Sequence, residues 1–214
     1  MKIQFNEKEA ASKFNCLRIE LNAKPDLLAK SINTDTTLVL VVDMIEGFCR
    51  RGALASKRCE AKILPIRDLL EKLPLAKKVF IRDVHTKESA EFKSFPPHCD
   101  TRQESTLVKE LAHIKGADLP KNSTNAFFSL IKKIPEIDKY NNIVIVGVCT
   151  DICIMQLGLT LKTYFNETDR PSNIMIFTEC VDTFDSPTHD AELSNLFALK
   201  FLEQAGIQLF RRLN

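Results

Sequence analysis

An α/β fold built on a parallel sheet is the class this sequence predicts, on three observations. Apolar, β-branched runs without polar alternation recur at residues 37–42, 78–81, 143–148 and 173–177, and such runs read as strands covered on both faces. Stretches with helical spacing lie between them at 56–73, 104–114, 151–165 and 189–205, and strand alternating with helix is the pattern of parallel crossovers. Reactive side chains stand directly after the apolar runs, which is where open parallel sheets bind ligands.

Residues 1–36 come first, expected as a helix and an extended lead-in packed on the domain that residues 37–214 form, where they cover a sheet edge or reach a neighbouring subunit. The run 37–42 ends in Asp43. Helix 56–73 leads to the run 78–81, which ends in Arg82-Asp83-Val84-His85. Next come the loop Phe95-Pro96-Pro97-His98, stiffened by its two prolines, and helix 104–114. The run 143–148 passes through Cys149-Thr150-Asp151-Ile152-Cys153 into helix 151–165. Strand 173–177 and helix 189–205 follow, Gly206 closes that helix, and 207–210 adds a short final strand.

The length of 214 residues favours one domain with one sizeable core. Thirty basic against 28 acidic residues leave a formal charge of +2, which gives no electrostatic reason to expect nucleic acid or an anionic membrane as partner. A small, weakly charged ligand is the better expectation. Seven cysteines, an odd number, do not resemble a disulfide framework. With no apolar signal-like core over Met1 to Glu9 and no run long enough for a membrane span, the chain is expected in the cytoplasm.

Asp43 follows an apolar run, so its carboxylate is partly shielded and suits a general base, although an isolated Asp at a strand end more often caps a turn. Cys153 tips that balance. It lies about one turn into the helix after the third run, where backbone amides and the helix dipole favour a thiolate. Cys16, Cys59 and Cys180 read instead as small buried hydrophobes. Asp83, His85 and His98 offer one carboxylate and two imidazoles for a divalent cation, with Glu91 as a further oxygen ligand. Spacing alone leaves this weak, since His beside Pro often caps turns.

Four motifs in order carry a resemblance: Val42-Asp43-Met44-Ile45-Glu46-Gly47-Phe48; Asp83-Val84-His85 with Phe95-Pro96-Pro97-His98-Cys99; Lys121-Asn122-Ser123-Thr124; and Gly147-Val148-Cys149-Thr150-Asp151-Ile152-Cys153. From about Leu38 onward the chain resembles the isochorismatase-like cysteine hydrolases, and among these the nicotinamidases. The resemblance implies a three-layer α/β/α sandwich with a mostly parallel sheet of roughly six strands, a catalytic triad of Asp43, Lys121 and Cys153, a cis peptide between Val148 and Cys149, and an oxyanion hole from the amides of Cys149 and Cys153. It also implies a divalent metal, Zn, Fe or Mn, held by Asp83, His85, Glu91 and His98, with Glu91 where many nicotinamidases have a third His. Phe48 and Phe95 match aromatic positions around the substrate, Phe95 where Trp is common; Phe128 is as well explained by core packing. The implied activity is hydrolysis of nicotinamide to nicotinate and ammonia, a step of NAD salvage, by an enzyme of a family whose members often self-associate.

Three other readings stand beside this one. The nearest is a hydrolase of the same fold acting on another small amide, an N-carbamoyl or a ureido compound. A binding module that kept the fold and lost the chemistry would be expected to lose a triad member. A thiol redox protein would use Cys149 and Cys153, whose C-x-x-x-C spacing differs from the usual C-x-x-C.

Overall fold

A computed structural model describes residues 6–214. Residues 1–5, on which the expected lead-in and part of the leader-free stretch Met1 to Glu9 fall, lie outside the described residues. The elements are α1 (Glu7–Asn22), β1 (Thr37–Val42), α2 (Glu46–Cys49), α3 (Lys57–Glu60), α4 (Ile63–Lys72), β2 (Lys77–Asp83), β3 (Ala117–Lys121), α5 (Phe127–Lys133), β4 (Asn142–Val148), α6 (Met155–Glu167), β5 (Asn173–Asp182), α7 (Ala191–Gln204) and β6 (Gln208–Phe210).

The strands form one sheet in the order β3-β2-β1-β4-β5-β6, and every neighbouring pair is parallel. Side chains alternate across it. Leu38, Leu40, Ile143 and Ile145 face a layer of α5, α6 and α7, packing with Leu130, Leu157, Leu161 and Leu202. Val39, Val41, Val144 and Val146 face the opposite layer, with Ile63, Ile66 and Leu70 of α4 and Phe48 of α2. The result is the three-layer sandwich, all parallel rather than mostly so. Strand order reverses between β1 and β4, so a crevice opens beyond the ends of these two strands. Asp43 and Cys149 are the first residues past those ends.

Gly147 makes the close approach of β4 to β1 feasible. Its φ is +122°, and a Cβ there would sit 1.9 Å from the carbonyl oxygen of Val42. The peptide joining Val148 to Cys149 is cis.

Two expected helices differ. The stretch 56–73 is split into α3 and α4, because Pro65 has no N–H for the carbonyl of Ala61 and a helix can carry it only in its first turn. The stretch 104–114 forms turns. Its backbone is engaged elsewhere, with Glu46 N–H donating to Thr106 O and Val108 N–H to Met44 O, while Val108 and Leu111 still reach the core. Three elements were unforeseen, α2, β3 and α5. Ahead of β1, α1 lies on α7 through an edge-to-face pair of Phe14 and Phe197, and Leu27 bridges Leu213 beside β6. Among the described residues no helix is long and apolar enough to cross a membrane.

Candidate active site

Lys121 is the hub of the site. It ends the edge strand β3, 2% exposed, in register with Asp83 of β2. Its ammonium forms a short hydrogen bond to Asp83 Oδ1, lies 2.9 Å from Asp43 Oδ2 and 3.7 Å from Cys153 Sγ. Burial alone would lower its pKa, but Asp43, Asp83 and Cys153 hold it well above the ordinary lysine value.

Asp43 is fully buried, with φ of +54°, a left-handed conformation that Asp tolerates better than most residues. That conformation turns the chain at the end of β1. Asp43 Oδ1 accepts from the Asp83 N–H at 2.9 Å. Oδ2 faces the Lys121 ammonium as an ion pair and has no other partner. One oxygen each of Asp43 and Asp83 and the Cys153 sulfur all lie within 4.8 Å of one another. Burial, reinforced by the Asp83 charge and opposed by Lys121, raises the Asp43 carboxyl to about 7. Burial acts on Asp83 too, yet there the Lys121 charge and the nearby imidazoles of His85 and His98 outweigh it, and its carboxyl stays well below the usual range.

Cys153 sits in a π-helical turn, Thr150–Ile154, that runs into α6. The helix start was expected to stabilise a thiolate, but burial prevails. It pushes the Cys153 pKa well above the ordinary thiol value despite the Lys121 charge. Burial therefore favours the protonated sulfur, and a neighbouring proton acceptor would help to ionise it. Cys149 belongs to the opposite face of the sheet, so the two sulfurs of the C-x-x-x-C sequence pack in different layers.

Asp83, His85, Glu91 and His98 converge, one ligand atom from each lying within 4.8 Å of the others. Hydrogen bonds fix both imidazoles. His98 Nδ1 is 2.8 Å from the carbonyl of Pro96, which can only accept, so Nδ1 donates and Nε2 is the free nitrogen. His85 Nδ1 is 2.9 Å from Asn122 Oδ1, and its Nε2 is buried with no hydrogen-bond partner. Glu91 is held at Oε1 by the Thr124 N–H at 2.8 Å, while its Oε2 is likewise buried and unpartnered. These two atoms lie 3.1 Å apart without a hydrogen bond, and within a set of two carboxylates and two imidazoles they fit a divalent cation.

Above Cys153 lies a narrow cleft walled by Phe48, Leu54, Phe95, Ile152 and Phe184, with Asp83 and His98 on its floor. Phe128 is not part of it. It is 66% exposed, because α5 turns Leu130 to the core and residues two apart on a helix face opposite ways. Asn122 and Thr124 were not singled out in the sequence, although both stand inside the Lys121 motif. Nor was Phe184, which lies just past the end of β5, the position where a ligand-contacting residue is expected.

A family model described as an isochorismatase domain matches residues 37–207. Nicotinamidase 1 of Arabidopsis thaliana is 27% identical over 192 residues, covering 75% of each chain. Among solved structures, PnC1 from L. infantum in complex with nicotinate superposes with a TM-score of 0.70 at 19% identity, over 84% of this chain and 95% of that one. N-carbamoylsarcosine amidase from Thermoplasma acidophilum does so with a TM-score of 0.66 at 19% identity, over 82% and 95%. With the family model spanning most of the sequence, the chain belongs to the isochorismatase-like hydrolase family.

Proposed function

We propose that this hydrolase is a metal-assisted cysteine amidase that converts nicotinamide to nicotinate and ammonia. One observation carries the chemistry: Lys121 stands between Asp43, Asp83 and Cys153, with one Asp43 oxygen within 4.8 Å of the Cys153 sulfur. The named relative from Arabidopsis thaliana supports the substrate.

Asp43, with a pKa near neutrality, takes the proton of Cys153. The Lys121 charge steadies the thiolate, which attacks the carboxamide carbon. The backbone amides of Cys149 and Cys153 receive the developing oxyanion, an interaction worth about 3 kcal/mol per donor. Asp43 passes its proton to the departing ammonia and then serves as base for the water that cleaves the thioester. Asp83, His85, Glu91 and His98 would hold the cation, which when bound would supply a Lewis-acid contact for the ring nitrogen. Zn, Fe and Mn all suit this mixed donor set.

The test is ammonia release from nicotinamide by purified protein, before chelation, after it, and with metal restored. Release that chelation abolishes and metal restores is expected. A folded, metal-loaded protein that ignores nicotinamide but cleaves an N-carbamoyl or ureido compound would replace this reading.

A further inference from the structure

Phe184 stands on the loop after β5, half-buried, its ring flat against the imidazole of His189 with centroids 4.2 Å apart and planes at 17°. His189 is pinned at both nitrogens. Nδ1 donates to the Phe184 carbonyl at 3.0 Å, and Nε2 meets Asp151 Oδ2 at 2.7 Å. Backbone hydrogen bonds between Ser186 and His189 run in both directions and close the turn that carries the imidazole. Phe184 is therefore held by a ring that is itself anchored, through Asp151, to the turn bearing Cys153.

Two cavities share this phenylalanine. The inner one, over Cys153, leaves about 20 Å³ open to water-sized molecules. The outer one leaves about 480 Å³ and is edged by Ser94, Pro96, Ser186, Thr188 and His189. Leu54, Phe95 and Phe184 line both. A space of that smaller size holds about one water molecule, so a substrate ring enters only as a wall draws back, and how far the wall that can move is allowed to go sets the limit. Phe48 is 4% exposed and belongs to the core. Phe95 lies against His98, on the loop that brings this imidazole to the cation site. Phe184 lines both cavities from a half-buried position on its loop, outside the core and outside the cation-holding set.

We propose that Phe184, seated on His189, is the specificity wall of this enzyme: it restricts the amide to a single unsubstituted flat ring, and its removal joins the inner cleft to the outer one. This rests on the amidase reading above. Phe184 sets size without taking part in bond making.

The test compares nicotinamide with a ring-substituted, bulkier aromatic carboxamide in the wild type and in Phe184→Ala, Phe184→Leu and His189→Ala, with metal content and melting temperature measured for each. The ratio of kcat/KM values, bulky over small, should rise at least tenfold in Phe184→Ala, mostly through KM, less in Phe184→Leu, and in the same direction in His189→Ala. Equal losses on both substrates would make Phe184 merely structural and overturn the proposal. Calorimetric binding of the two corresponding carboxylic acids separates this from the amidase reading. If no amide is cleaved but the bulky acid binds Phe184→Ala at least tenfold tighter than wild type, the wall stands and the reaction assignment falls; no gain in that binding overturns the wall.

Discussion

Asp83 and Lys121 face each other at the ends of β2 and β3, and this one carboxylate serves both halves of the site. Its Oδ1 holds the Lys121 ammonium, while Nε2 of His85 and of His98 lie 3.7 and 3.8 Å from its two oxygens. The proposed base and the candidate cation site therefore meet at a single side chain.

Asp83→Asn keeps the shape and removes the charge. Loss of one partner from a buried ion pair typically costs about 3–5 kcal/mol, so the variant should melt earlier and lose bound metal and ammonia release together. Melting curves with elemental analysis check this; full metal content in an inactive protein would show that Asp83 serves Lys121 alone.

Cys153→Ala removes the nucleophile and leaves the four cation-holding residues untouched. Ammonia release should fall to background with metal content unchanged. Substantial turnover in this variant would refute the assignment of the sulfur.

Asn122→Ala frees the His85 ring. Residues that orient a metal-bound imidazole are typically worth about 10–100-fold in metal affinity, and titration with the metal alone should show a loss of that size. Asn122→Asp retains an acceptor for Nδ1 and should restore most of the affinity; identical losses in both variants would mean that the contact does not orient the ring.

Asp182 gives the fold an acid limit. Burial raises its carboxyl, but Lys62, the Thr183 N–H, Asn195 and Arg58 together hold it below the ordinary value. A carboxyl depressed in the folded state contributes stability that is complete above the unfolded pKa of about 3.9 and disappears as pH falls through the folded value. The wild-type melting temperature should drop below about pH 4. Asp182→Asn should start lower at neutral pH and show a shallower acid limb; parallel curves would remove Asp182 from the explanation.

Gly147→Ala places a methyl group against the carbonyl of Val42 in a conformation that L side chains rarely adopt. The conformational part alone is worth about 1–3 kcal/mol. A variant that melts within a degree of wild type would show that β4 can shift away from β1 freely.

The central strands were legible because β1 and β4 are covered on both sides, which imposes unbroken apolar runs. β3 was not. It is an edge strand with Pro120 in it and only Leu119 and Lys121 buried, so no apolar run marks it, and Lys121 was found only through its motif. The stretch 104–114 has real helical spacing, but long-range backbone bonds to Met44 and Glu46 took its place. Phe128 shows the limit of sequence distance as a guide, since seven residues after Lys121 the chain has already turned into α5. Phe184 was missed because β5 continues to Asp182, five residues past its expected end at 177.

The end of β3 and the residues just after it bring Lys121 to Cys153, Asn122 to His85 and Thr124 to Glu91. A local opening of that segment would release all three holds at once, without unfolding the central strands. Cation retention and turnover should accordingly vanish at the same urea concentration, ahead of the loss of secondary structure, so that the enzyme inactivates in one step from its rim inward.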